Sequence, residues 1–469
     1  MKLPRGGLPK CLLGLLAISA VLKVLVWGVV VTQDPARFVY TDSVAYHETT
    51  RSLLQAGRFS VSADRPNVPE TRRTPGYPIF LAPAYALAGE RPAAGIAWQI
   101  LLSLATILLL FRLTQERFST PVGIAAAGLL TLDAASFSHS LLLLTETLFA
   151  FLMVAMLFCA LRFAKGNRGV LWAGGIGLLL AVATLVRPIS YYLAPAVAGW
   201  ILVAAWRRHL SPQKTCAALL AFLIPVVGLL GGWQLRNYRL TGSGDISQIV
   251  GLDLLFFRGA KVISLRDGIS LEEARHQLGK GWYRELHPET RDFTEEELTE
   301  RWKEEGLAIL AQHPAEVAKM QLVGMAATLG GTGEHTVMRL LGIPIPSSGP
   351  LGDLFRLKPR DYLRRWVLER SMSFLVALVL LAFLAVLYWG GARWWWTSLR
   401  HRRVEVFDLC AWGVAAYLVL ISAGPESYHR FRVPITPILC LYAAAGLETS
   451  RRRLFRLAAH GDDRESMPR

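Results

Sequence analysis

Long apolar runs separated by short polar turns dominate the chain. Ten of them approach the roughly 20 mostly apolar residues that a hydrocarbon span requires: 11–31, 94–111, 121–137, 141–161, 170–186, 190–206, 216–235, 371–390, 406–423 and 433–447. Read as helices, they predict an all-α polytopic membrane protein with about ten transmembrane helices. Two long polar segments interrupt them, 32–93 and 236–370. Within the first, Asp42 is a good N-cap for a helix running to about residue 56 and stopped by Gly57. The apolar stretch 75–89 is short and carries Pro75, Pro78 and Pro83, so it reads as a membrane-surface or re-entrant element. Within the second, Ser270-x-x-Glu273 and Thr294-x-x-Glu297 are capping-box patterns. The latter opens a helix with Leu298, Trp302, Ile309 and Leu310 on one side, ending before Pro314. Residues 315–330 read as an interfacial helix, because a further crossing would put the basic run at 400–403 on the wrong side.

Composition agrees with a membrane protein: 53% of residues are hydrophobic and only 18% charged, with mean hydropathy +0.36. The net charge of +16 would suit nucleic acid, but its distribution does not. Lys2, Arg5 and Lys10 precede the first run, and Arg112, Arg117, Arg162, Lys165, Arg207, Arg208, Arg400 to Arg403 and Arg451 to Arg453 fall in every second connection. That is the positive-inside pattern, which puts those turns and both termini in the cytoplasm and the two long segments outside. A nucleic-acid footprint would be one basic face on a recognisable module, so no nucleic-acid partner is expected. The first run is too long for a signal-peptide core and lacks a small-residue cleavage site, so it reads as an uncleaved span. The cysteines Cys11, Cys159, Cys216, Cys410 and Cys440 all lie in or at apolar runs and form no disulfide framework or CxxC site.

The chemically capable residues gather on the side opposite the basic turns. Asp42 would accept a proton from an incoming hydroxyl, the alternative being a plain helix cap. Glu146 opens the fourth span and faces the same side; an acid there is either half of a constellation or a polar helix end at headgroup level. His139 lies near it and is equally consistent with a hydrogen-bonded interface residue. Arg72, Arg73, Arg187, Arg430 and Arg432 are external cations near span ends. Their planar guanidiniums match phosphate, although snorkelling to headgroups accounts for most arginines at such depths. Tyr77, Tyr428 and His429 sit beside them. Lys23 lies inside the first span, where Asp133 is its candidate partner. No GxxxxGK[ST], HExxH or GxSxG motif is present, and the cytoplasmic loops are too short for a nucleotide-using domain.

Taken in order, these motifs resemble a family. An aspartate follows span one, Arg73-Thr74-Pro75-Gly76-Tyr77-Pro78 precedes span two, Glu146 opens span four, Arg187-Pro188 follows span five, and Arg430-Phe431-Arg432-Val433-Pro434 precedes the last span. This is similar to the C-type glycosyltransferase superfamily. Its nearest branch is bacterial family 39, with the protein O-mannosyltransferases and the lipid A aminoarabinose transferase. The resemblance covers roughly 10–240 and 405–450 and is strongest over 40–190. It implies an inverting transfer of a sugar from a polyprenyl-phosphate donor to a glycan, lipid or protein acceptor on the outer face of a bacterial inner membrane. Carried over residue by residue, it makes Asp42 and Glu146 the catalytic acids. Arg72, Arg73, Arg430 and Arg432 become phosphate binders, and Tyr77, His139, Arg187, Tyr428 and His429 line the substrate. Some superfamily members use a divalent cation, but no clear ligand cluster here demands one. The protein O-mannosyltransferases carry Asp-Glu in the first loop where this chain has Asp42-Ser43, and the internal segment 236–370 stands where the lipid A enzyme has a soluble C-terminal domain. The acceptor is therefore left open.

The implied division is a catalytic membrane module over 1–235, an external region over 236–370, C-terminal membrane helices over 371–450 and a cytoplasmic tail over 451–469. A transporter or flippase of a lipid-linked or polar substrate would also use intramembrane charges, but would normally show internal repeats and broken midplane helices. A lipid-linked glycan ligase or polymerase would share the architecture.

Overall fold

The computed structural model describes residues 8–166, 168–343, 358–362, 364 and 371–448. Lys2 and Arg5, Arg451 to Arg453, most of the loop expected after Gly342 and the tail 451–469 lie outside the described residues. Among those described, the chain is helical, with one isolated β-bridge, Ser60 to Pro69.

The N-terminal half comprises α1 (Lys10–Gln33), α2 (Thr41–Ala56), α3 (Gly76–Ala88), α4 (Pro92–Arg117), α5 (Thr120–Leu132), α6 (Ala134–His139), α7 (Glu146–Lys165), α8 (Gly169–Val186), α9 (Leu193–Arg207) and α10 (Pro212–Thr241). The region that follows, which the charge pattern leads one to expect outside and which is called the external region for that reason, is built from shorter helices: α11 (Ile249–Asp253), α12 (Ala260–Asp267), α13 (Leu271–Gln277), α14 (Tyr283–Leu286), α15 (Glu295–Gln312), α16 (Pro314–Gly330) and α17 (Glu334–Leu340). Three helices close the described chain: α18 (Ser371–Arg400), α19 (Val406–Ser422) and α20 (Thr436–Glu448).

Six of these helices (α1, α4, α7, α8, α10 and α18) are long and apolar enough to cross a membrane; α3, α5, α9, α19 and α20 are shorter apolar helices. The chain is an integral membrane protein. Burial sorts the long helices: 72% of the apolar window of α7 is buried, against 17% for α1 and 22% for α10. Consequently α7 is the central pillar, while α1 and α10 show most of their apolar surface outward, where lipid rather than protein is the partner. In lipid there is no hydrophobic drive between helices, so close approach depends on small residues. Between α8 and α10 that residue is Gly177, where a Cβ would run into the Phe222 backbone.

Several boundaries depart from the sequence reading. The third run does not reach 137: Asp133 stops α5 and caps α6, accepting from the Ser136 N–H at 2.7 Å. Residues 141–144 are buried but not helical, and α7 starts at Glu146. Lys23 does not pair with Asp133. Its ammonium donates to Ser103 Oγ at 2.8 Å, while Asp133 lies 3.8 Å from Arg432, both fully buried. The helix at 76–88 is 13 residues, about 20 Å at 1.5 Å per residue, which is short of a full span.

In the external region the Thr294–Glu297 capping box forms reciprocally, whereas at Ser270 the side chain accepts from Glu273 N–H. Leu298, Trp302 and Ile309 of α15 pack on Leu255, Phe256 and Tyr283, giving this region its own apolar core.

Replacing Gly177 with Ala should lower the apparent thermal midpoint of the detergent-purified protein, at a cost of about 1–3 kcal/mol for overpacking. Gly199→Ala on α9, where the added methyl meets nothing within 4 Å, should leave it unchanged. Equal midpoints for the two variants would mean that the α8–α10 contact is looser than described.

Candidate functional site

Asp42 is not the cap of its helix. α2 begins one residue earlier, and Ser43 Oγ takes the Tyr40 N–H at 2.9 Å. Freed from capping, the Asp42 carboxylate sits in the first turn, on the same face as Tyr46 four residues on. Both meet Arg73. Its Nη2 donates to Asp42 Oδ1 at 2.9 Å, and its guanidinium lies 5.4 Å from the Tyr46 ring centroid. The other end of α2 is held by Arg51, which pairs with Glu90 at 3.2 Å, and by Gly57 in the left-handed conformation at φ 63°.

A second arginine arrives from the far end of the chain. Arg430 Nη1 donates to Asp42 Oδ2 at 3.0 Å. Its Nε donates to Glu146 Oε1, and the same oxygen receives Arg187 Nη1. Arg187 also reaches Thr145 Oγ1 at 3.3 Å. Five residues therefore form one continuous charge chain: Arg73, Asp42, Arg430, Glu146 and Arg187. Its two ends differ in environment. Glu146 is fully buried, whereas the Asp42 side chain keeps 33% of its exposure. Glu146 Oε2 is buried with no hydrogen-bond partner among the described residues.

Burial by itself would raise the Asp42 carboxyl. The Arg430 and Arg73 charges outweigh it and hold the group below the usual carboxylate range. Arg430 is likewise buried, yet the Glu146 and Asp42 charges keep it firmly protonated. Three guanidiniums against two carboxylates leave the cluster one positive charge in excess. Each arginine also keeps N–H donors that Asp42 and Glu146 do not use. An anion with paired oxygen acceptors would satisfy both features.

Both arginine-bearing loops are held by the external region. On one side, Glu70 Oε1 accepts the Arg72 and Arg73 backbone N–H groups at 2.7 and 2.9 Å. Arg236 Nη1 donates to the Glu70 carbonyl at 2.7 Å, Ser247 Oγ to the Arg72 carbonyl at 2.6 Å, and Gln248 N to the Thr71 carbonyl at 3.1 Å. On the other side, Arg275 Nη2 donates to Glu426 at 2.7 Å and Arg258 Nη2 to the Ile421 carbonyl at 2.9 Å. Gly324 of α16 lets the backbone of Gly424 approach without a Cβ in the way.

The remaining candidates separate from the cluster. Arg72 turns outward and pairs with Glu295 at 3.3 Å, both well exposed. Arg432 is buried, donating to the Leu329 and Gly331 carbonyls at 3.1 and 2.6 Å; it fastens the end of α16 instead of facing Asp42. Tyr77 is buried and donates to Gln99, and its ring meets the Tyr46 ring edge-on at 5.0 Å. His139 is buried, its Nδ1 2.8 Å from the Ala135 carbonyl. It meets the His429 ring edge-on at 5.3 Å, and His429 Nε2 lies 3.0 Å from Thr336 Oγ1. Burial drives the His429 imidazole well below its ordinary value, so it stands neutral between the arginines. Tyr428 packs on Phe431 at 5.7 Å, and burial raises its hydroxyl.

Two contributors escaped sequence reading. Glu70 orients Arg73 through its backbone, and only the proximity of an acid to an Arg-Arg pair hinted at it. Arg339 of α17 donates to the Val39 carbonyl at 2.6 Å and covers the Tyr40 ring at 4.0 Å, bracing the start of α2; nothing in its local sequence marks it. Among the described residues no group of three or more His, Cys, Asp or Glu side chains is arranged to hold a metal ion, and both site carboxylates already face arginines.

A comparison with curated proteins returns no match. Among solved structures, the chain is similar to the archaeal oligosaccharyltransferase AglB from Archaeoglobus fulgidus in complex with an inhibitory peptide and a dolichol-phosphate, at 13% identity and TM-score 0.49, over 98% of this chain and 52% of that one. It is also similar to ArnT from Cupriavidus metallidurans bound to undecaprenyl phosphate, at 14% identity and TM-score 0.39, over 93% and 79%. The chain thus spans about half the length of the oligosaccharyltransferase. Residues 72–230, which include Arg73, Glu146 and Arg187, match the family model described as dolichyl-phosphate-mannose-protein mannosyltransferase, in agreement with the C-type glycosyltransferase superfamily expected from the sequence.

Proposed function

We propose that this chain is a membrane glycosyltransferase that moves a sugar from a polyprenyl-phosphate donor to an acceptor hydroxyl at the outer face of a bacterial inner membrane, inverting the anomeric carbon. Both termini and the basic turns would then be cytoplasmic. Residues 1–235 would form the catalytic module, 236–370 the external region and 371–450 the closing helices. The observation that carries this reading is the single Arg430 guanidinium, shared by Asp42 and Glu146 from distant parts of the chain.

The chemistry follows from that cluster. Arg73 and Arg430 meet the donor phosphate with their unused N–H groups, supported by the surplus positive charge. As the bond from the anomeric carbon to the phosphate oxygen breaks, the charge growing on the leaving phosphate is stabilised by donors already oriented toward it. The acceptor oxygen forms the new bond to the anomeric carbon and passes its proton to Asp42. Asp42 is a weak base but a fully ionised one, and the phosphate is a good leaving group, so strong basicity is not required. Glu146 plays a different part: its Oε1 aligns Arg187 and Arg430. The acceptor on this reading is a glycan, lipid or protein hydroxyl and not a nucleic acid.

Asp42→Asn should lower turnover by about 10²–10⁴, read as release of polyprenyl phosphate from a panel of donors in proteoliposomes, with the protein still folded. If the panel is turned over by wild type and the variant keeps pace, Asp42 is not the base. Arg72→Gln should change turnover little, since that side chain points away. Because the Asp42 carboxyl is depressed, it stays ionised above the ordinary value near 3.9 and is protonated only as pH falls through its lower folded value. The acid limb of kcat/KM should therefore lie below about pH 4; a limb at pH 6 would assign the base to another group. Glu146→Ala should instead cost stability, about 3–5 kcal/mol, because it leaves two buried guanidiniums uncompensated. A drop in thermal midpoint no larger than that of Asp42→Ala would contradict that division of roles.

A further inference from the structure

At the end of the bundle opposite Asp42 lies a large basic cavity that takes no part in the transfer. α7 sets the separation. Glu146 begins it, and Arg162 near its other end pairs with Glu116 at 2.5 Å, beside Arg117 on the cavity wall. Sixteen residues of helix put the two ends about 24 Å apart. The cavity measures about 1060 Å³ and lies between the ends of α4, α18 and α20 and the starts of α5 and α19.

Its charges are unevenly compensated. Arg117 is fully engaged, forking onto Asp408 at 3.0 and 2.7 Å and reaching Glu405 at 2.9 Å. Asp408 is also bound by the Tyr442 hydroxyl at 2.9 Å. Arg393, Arg400, Arg402 and Arg403 line the same space together with Glu405 and Glu448, so the lining arginines outnumber the lining acids. The Nε of Arg393 is buried there with no hydrogen-bond partner among the described residues. The turn after α18 is shaped to present these cations. Arg403 N–H donates back to the Ser398 carbonyl at 2.8 Å, and Arg402 is held in the left-handed region at φ 51°, a conformation that non-glycine residues adopt at a cost.

The outer surface beside the cavity is apolar. Trp389 and Trp396 are 53% and 60% exposed, and Leu399 is 60% exposed. Arg400 stacks on Trp396 at 4.6 Å and Arg393 on Trp389 at 5.5 Å. Tryptophans with arginines at a helix end are the pattern of a membrane–water boundary, and basic pockets between helices take anionic headgroups. The volume is at the upper end of cavities that enclose small organic ligands, far more than a free phosphate ion needs.

We propose that this cavity binds the phosphate headgroup of an anionic membrane lipid, with Arg393 and Arg403 gripping the phosphate and the acyl chains lying along the exposed face of α18. The site lies in the leaflet opposite the transfer site and is independent of the chemistry there.

The test uses the full chain, delipidated in neutral detergent, with bound lipid counted by native mass spectrometry and stability read as the thermal midpoint. Phosphatidylglycerol should bind and raise the midpoint, while phosphatidylcholine should do neither. Arg393→Gln with Arg403→Gln should weaken phosphatidylglycerol binding at least tenfold while leaving the midpoint in phosphatidylcholine unchanged. Should the double Gln variant fail to fold, Arg393→Lys with Arg403→Lys keeps the charge but loses the fork, and should show a smaller but measurable weakening. Undiminished phosphatidylglycerol binding by a folded variant overturns the assignment, as does equal binding of the two lipids. Displacement of phosphatidylglycerol by millimolar inorganic phosphate, with the same rise in midpoint from phosphate alone, would make it a free-anion site and overturn the lipid.

Discussion

The structure turns on one buried carboxylate. Glu146 has no exposure at all, and an isolated charge in such a position is very costly. It persists because Arg187 and Arg430 both converge on it. That requirement ties three remote pieces of chain together: the start of α7, the turn after α8 and the turn before α20. Asp42 then joins as the partner of the Arg430 charge that Glu146 leaves partly uncompensated. The burial gradient runs from a sealed end at Glu146 to a partly open end at Asp42, which under the proposed transfer separates an aligning role from a reactive one.

The external region acts as a clamp on this arrangement. Arg236, Ser247 and Gln248 hold the 70–73 segment that carries Arg73, while α16, Arg258 and Arg275 hold the turn that carries Arg430. Under the proposed transfer, pre-organisation of this kind matters because electrostatic stabilisation of a leaving phosphate depends on donors that need not reorient as charge develops. It also explains the length of the region: two loops on opposite sides of the site must be fixed from one body. Glu70 and Arg339 belong to the same logic, acting through backbone contacts and not by facing the site.

Charge is used differently at the two ends of the bundle. Beside Asp42, guanidiniums and carboxylates alternate in a chain with one positive charge left over. At the far end, Arg117 is neutralised by Asp408 and Glu405, while the arginines of the 400–403 turn meet an open cavity. A positive-inside bias is usually explained by insertion; here the same residues also line a cavity able to hold a headgroup.

Much of the fold was legible from hydropathy, since a backbone in hydrocarbon must satisfy its own hydrogen bonds and so becomes helix wherever about 20 apolar residues run together. Each of the ten expected spans has a corresponding helix, six of them long and apolar enough to cross a membrane, and the short 76–88 helix was recognisable from its length and prolines. Local signals succeeded where the cause is local, as at the Gly57 stop and the Thr294–Glu297 box. They misled where a side chain had two uses: Asp42 looked like a cap but is free of that duty, and Asp133 looked like a partner for Lys23 but caps α6 and faces Arg432. Sequence also could not rank the external arginines. Arg72 and Arg73 are adjacent, yet only Arg73 turns to Asp42, because Glu70 and Ser247 fix the backbone between them. Arg430 and Arg432 differ by two residues, yet one bridges the acids and the other fastens α16. What the sequence by itself determined was helix and the pool of charged residues, both of which follow from composition over short windows. Only the tertiary structure decided which charges meet, because the energy of a buried ion pair depends on a separation of a few ångströms between groups hundreds of residues apart.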